Sequence, residues 1–115
     1  MKEQIDAREL IKDVLPKLKA TRHLIDNTLK ARIEQSEDDE QRRRLIILQQ
    51  EFELEMTMIR LNMDHLLTRY HDQLKAAAEG HGRFTTPILA LDQSEAVAIE
   101  SARNLYRRAY ELQVR

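Results

Sequence analysis

One run of apolar residues constrains this chain more than any other feature. Leu45, Leu48, Phe52, Met56, Ile59, Met63, Leu66, Tyr70, Leu74 and Ala77 recur at intervals of three and four residues. At 100° per residue they fall within an arc of about 80°, which predicts one long amphipathic helix over residues 37–79. At 1.5 Å per residue such a helix spans roughly 64 Å, whereas a compact chain of this length has a radius of gyration of about 13 Å. An elongated all-α molecule is therefore expected, unless the helix breaks, with 62–64 as the candidate place.

The same segment is apolar on its other side. Ile47, Leu54, Met58 and Leu61 lie roughly opposite the main stripe, and His65 extends them. A helix apolar on two opposite sides is covered on two sides. A first helix folding back covers one of them, so a third helix or another chain is expected on the other.

A first helix is predicted over residues 2–35. Ile11, Val14, Leu15, Leu18, Ile25, Leu29 and Ile33 form one stripe about 100° wide. Pro16 interrupts it without changing its phase, which predicts a helix kinked at the proline rather than two helices. The polar stretch at 34–40 supplies the turn: Ser36 as N-cap, Asp39 three residues on, and Glu37, Asp38 and Asp39 in a first turn whose dipole favours negative charge. Gly80 and Gly82 then stop the second helix.

Residues 80–91 form a connection unusually rich in apolar side chains: Phe84, Ile88, Leu89 and Leu91. It is expected to pack on the hairpin or on a partner. Asp92 followed by Glu95 marks the start of a third helix over residues 93–113. That helix carries a small-residue stripe (Ala98, Ala102, Leu105, Ala109, Leu112) and a second stripe of Ile99, Tyr106 and Tyr110. It is too short to cover the whole hairpin, so one end is expected to stay open.

These elements compose a single all-α domain: a long antiparallel helical hairpin plus a shorter C-terminal helix, an elongated bundle completed by dimerisation. A turn near residue 36 makes the numbers of facing residues sum to about 77, which sets Leu18 against Ile59 and Arg22 against Glu55.

No residue pattern carries chemistry. The chain lacks cysteine, which excludes disulfides, thiolate metal sites and thiol catalysis. None of His23, His65, His71 and His81 has the helical spacing to a second histidine or a preceding carboxylate that places metal ligands on one face. No phosphate-cradling glycine loop or Ser/His/Asp order is present. Nineteen basic and twenty acidic residues leave a formal charge of −1, so a general electrostatic grip on nucleic acid or anionic lipid is disfavoured. The Arg42-Arg43-Arg44 run is answered four residues earlier by Asp38, Asp39 and Glu40.

A non-enzymatic protein-interaction protein is therefore expected, of regulator, anti-activator or chaperone type, without cofactor or metal. It would be a homodimer that sequesters another protein through apolar helical faces. The expected interface is Ile47, Leu54, Met58, Leu61 and His65, with Phe84, Ile88, Leu89, Tyr106 and Tyr110. The alternative is a small nucleic-acid-associated regulator using Arg83, Arg103 and Arg107; a helical-bundle enzyme with a site shared between subunits is the remote third. The N-terminus shows no apolar leader and no run long enough to span a membrane, so a cytoplasmic protein is expected.

Overall fold

A computed structural model describes residues 3–80 and 87–114, with nothing said of the Val114 side chain. The order is β1 (Gln4–Asp6), α1 (7–35), α2 (Asp39–Arg69), α3 (His71–Ala78), β2 (Ile88–Ala90) and α4 (Gln93–Val114). The architecture is all-α with a minor two-stranded ribbon. The molecule is elongated, 53 × 26 × 20 Å with a radius of gyration of 16.5 Å.

The N-terminal end departs from expectation. Residues 4–6 are extended rather than helical and pair antiparallel with 88–90, Ile5 opposite Leu89. Side chains alternate across a strand. Ile5 and Leu89 accordingly point into the core, while Gln4, Ile88 and Ala90 are exposed. Two further hydrogen bonds extend the ladder, Ala7 N–H to Pro87 O at 2.9 Å and Leu91 N–H to Glu3 O at 2.8 Å. Asp6 then caps α1, accepting from the Arg8 N–H at 2.8 Å.

Helix α1 runs unbroken through Pro16. Proline has no N–H to offer the preceding turn, and the irregularity takes the form of a π-helical turn over Leu10–Val14, closed by the Leu15 N–H on Leu10 O. A second π turn covers Leu24–Leu29. These wider turns shift which side chains face inward: Leu10, Val14, Leu24, Ile25 and Leu29 are buried, while Ile11, Leu15, Leu18 and Ile33 only flank the core. Thr21, which reads as a polar gap, is fully buried, and its hydroxyl donates to Lys17 O at 2.8 Å.

The second helix starts two residues later than its sequence suggests. Ser36 closes α1, and Asp38 is the N-cap of α2, accepting from the Glu40 N–H at 3.2 Å. Arg42 ties the turn from inside, donating to Ser36 O and to Asp39 Oδ1. The second helix is not continuous. It ends at Tyr70, where φ −114° and ψ 26° leave the helical region, and α3 resumes at His71. Gly80 adopts φ +83°, a left-handed conformation that glycine takes without strain and that terminates the segment.

Helix α4 lies in the groove of the hairpin and packs on both α1 and α2. Its buried apolar residues are Ala96, Ala98, Ile99, Ala102, Leu105 and Ala109. Alanines at the contact let helix axes approach closely. Leu112 reaches the turn end beside Leu45 and Leu48. The other end, expected open, holds the ribbon and α3, which add Ile5, Leu74 and Leu89 to the core. Among the described residues, every buried side-chain polar atom has a hydrogen-bond partner.

Candidate interaction face

The inner side of α2 is covered by its own chain. Leu45, Phe52, Met56, Ile59, Met63 and Leu66 are all buried there. Two ion pairs bracket that side. On one flank Arg22 of α1 reaches Glu53, with Nη1 2.9 and 3.0 Å from the two carboxylate oxygens, and holds Asp26 at 3.2 Å. On the other, Arg108 of α4 reaches Glu55 at 3.0 Å, its guanidinium 5.2 Å from the Phe52 ring centroid.

The expected Arg22–Glu55 pair is thus replaced by Arg22–Glu53. Glu53 and Glu55 are two residues apart, so they leave a helix on opposite flanks of its apolar stripe. Helix α1 lies on the first flank and α4 on the second. The Glu53 carboxylate beside it holds the Arg22 guanidinium above its ordinary pKa.

The outer side of α2 is open. Ile47, Leu54, Met58 and Leu61 are 49%, 64%, 59% and 67% exposed. With His65 they lie within an arc of about 60° and run for roughly 27 Å along the helix. Helix α4 does not reach this side, since it sits between α1 and the inner face of α2. The fold closes its core without these four side chains.

At the His65 end stands a polar hub. Asp92 and Glu95 form a reciprocal capping box: Glu95 N–H donates to Asp92 Oδ1 at 2.7 Å, and Asp92 N–H to Glu95 Oε1 at 2.9 Å. The Glu95 side chain is 1% exposed and takes a two-pronged contact from Arg69, with Nε 3.2 Å from Oε2 and Nη2 on Oε1. His65 Nδ1 lies 3.1 Å from Glu95 Oε2 and 3.8 Å from Asp92 Oδ2. The hydrogen bond to Glu95 holds the Arg69 guanidinium above its ordinary pKa. Arg69 Nη2 and the Tyr70 hydroxyl both donate to Ala90 O at 2.8 Å. The break of α2 at Tyr70 therefore coincides with the place where the ribbon is fastened. The sequence pattern exposes the Asp92/Glu95 box but carries no signal for Arg69, whose partner is 26 residues away.

His65 Nδ1 and carboxylate oxygens of Asp92 and Glu95 lie within 4.8 Å of one another, the spacing of a small metal site. Arg69 already neutralises Glu95, and both Glu95 oxygens accept hydrogen bonds.

The other expected contact residues are dispersed. Ile88 is exposed on the ribbon, but Leu89 faces the core, because neighbouring residues of a strand take opposite faces. Tyr106 and Tyr110 stack at 6.2 Å between centroids in a groove between α1 and α4, beside Pro16, Ala20 and His23, with Lys17 over the Tyr106 ring. Arg103 is held by Glu9 and by Asp13 at 3.6 Å, and Arg107 donates to Asn104 at 2.8 Å. Phe84 and Arg83 lie outside the described residues. A cavity of about 280 Å³ opens between the ribbon and α4, lined by Ile5, Leu91, Ala96, Ile99 and Arg103 among others. Among the described residues no helix is long and apolar enough to cross a membrane.

Comparison of the chain with known protein families, with curated proteins and with solved structures gives no match.

Proposed function

We propose that this chain is a non-enzymatic protein-interaction protein that takes an amphipathic helix of another polypeptide on the outer face of α2. One observation carries the reading: four large apolar side chains, half to two-thirds exposed, stand in a line on a helix whose core side is already complete. Contiguous apolar patches of this kind mark interaction sites. A line of side chains three, four and seven apart fits a partner helix, whose own apolar residues recur at the same intervals. The mechanism is sequestration: the partner helix buries its apolar side here and is withheld from other assemblies. The reading sets its action in the cytoplasm, without cofactor.

The test compares the wild type with a Leu54→Gln/Met58→Gln/Leu61→Gln variant. The variant keeps its helical circular dichroism, because the substituted side chains are outside the core. It is expected to lose the proteins that the wild type retains by cross-linking in the source cell. Retention of the same proteins by both would refute the assignment of this face.

A further inference from the structure

We infer that in the isolated protein, before any other partner takes this face, the helix received on it is α2 of a second copy, in antiparallel orientation about a two-fold axis near Met58; this rests on the reading above. Around Met58 the face has Leu54 four residues before and Leu61 three residues after, then Glu51 seven before and His65 seven after. An antiparallel partner sets each Leu54 level with the partner's Leu61. It sets each Glu51 level with the partner's His65, an acid against an imidazole whose ring N–H donates. A parallel pair instead sets Glu51 against the partner's Glu51, two like charges at one level. Self-complementarity of a single patch is what a two-fold interface requires.

With the exposures above, the four side chains present roughly 500 Å² on each copy, near the top of the range of about 300–600 Å² for the largest apolar patch of a monomer. A second copy brings the same patch again, so at most about 1,000 Å² of it is buried. The polar residues on the rim, Gln50, Thr57 and His65 among them, raise this to the region of about 1,200 Å² where specific dimers begin. The seam also has a coiled-coil pattern: Leu54, Met58, Leu61 and His65 alternate steps of four and three, the spacing at which two helices interdigitate.

The chain has no cysteine, so single cysteines report the arrangement directly. Met58→Cys, Leu54→Cys and Leu61→Cys are each oxidised under mild conditions, alone and in a mixture of the last two. A disulfide needs Cα atoms within about 7 Å. The expected result is a cross-linked dimer from Met58→Cys alone and from Leu54→Cys mixed with Leu61→Cys. Leu54→Cys alone stays uncross-linked, because antiparallel copies separate those positions by roughly 12 Å along the axis. Self-cross-linking of Leu54→Cys would overturn the antiparallel order. Absence of every cross-link, with light scattering at the single-chain mass of 13.6 kDa, would overturn the second copy and leave the face for a different helix. Absence of cross-links with a dimeric mass would place dimerisation elsewhere and overturn the inference.

Discussion

Arg69 lays its guanidinium along the carboxylate of Glu95, a side chain 1% exposed at the first turn of α4. Glu95 at once caps the helix, receives His65, and is joined through Arg69 to the carbonyl of Ala90. The C-terminal end of α2, the ribbon and the start of α4 are thereby fastened at one carboxylate. Asp92 supplies the other half of the capping box and a longer contact to His65 at 3.8 Å, and is half exposed. Asp92→Ala is expected to cost about 1 kcal/mol, as loss of an N-cap does. Glu95→Ala is expected to lower the melting temperature further, because it leaves Arg69 and His65 without their shared acceptor. Thermal unfolding followed by circular dichroism ranks the two variants, and an equal or reversed order would contradict the hub.

The two sides of α2 should respond unequally to truncation. Phe52→Ala, inside the core, is expected to cost about 3–5 kcal/mol by removing buried contacts and leaving a cavity. Thr57→Ala, on the exposed side, is expected to stay within about 0.5 kcal/mol. Urea denaturation of the variants measures both.

Arg22 chooses Glu53, not Glu55. The partners are part-exposed, so a double-mutant cycle between Arg22→Ala and Glu53→Ala should return about 0.5–1 kcal/mol of coupling. The cycle with Glu55→Ala should return none, since Glu55 answers Arg108. Coupling to Glu55 would mean that α1 and α2 are aligned differently.

Asp13 carries a pH prediction. Its hydrogen bond from Lys17, aided by Arg103, holds its carboxyl below the ordinary value of 3.8, although burial opposes this. A group whose folded pKa is depressed contributes stability above its unfolded pKa and loses it as pH falls through the folded value. The advantage of wild type over Asp13→Asn should therefore be complete at pH 7, decline below about pH 4, and vanish in stronger acid. The group is part-exposed, so the effect is small. Stability curves of both proteins between pH 2 and 7 check the sign.

Much of this was legible in the residues because it is local and periodic. The stripe from Leu45 to Leu66 repeats at 3.6 residues, so it identified both the helix and its buried side. Asp92 and Glu95 stand three apart, which named the capping box. The apolar quartet opposite the stripe was readable in the same way, and the structure finds it exposed. What escaped the sequence depends on non-local partners. Strands of three residues contain too little alternation to recognise, and Ile5 becomes a strand residue only because Leu89 lies beside it. Tyr70 breaks α2 without glycine or proline, in order to reach Ala90. The π turns of α1 leave no mark in composition, yet they decide that Leu10 and Leu24 enter the core while Leu15 and Leu18 stand at its edge.

The most direct measurement is light scattering coupled to size exclusion, over a range of concentrations, on the wild type and the Leu54→Gln/Met58→Gln/Leu61→Gln variant. The expected result is twice the 13.6 kDa chain mass for the wild type and the single-chain mass for the variant, with unchanged helicity. The same mass for both proteins would contradict it.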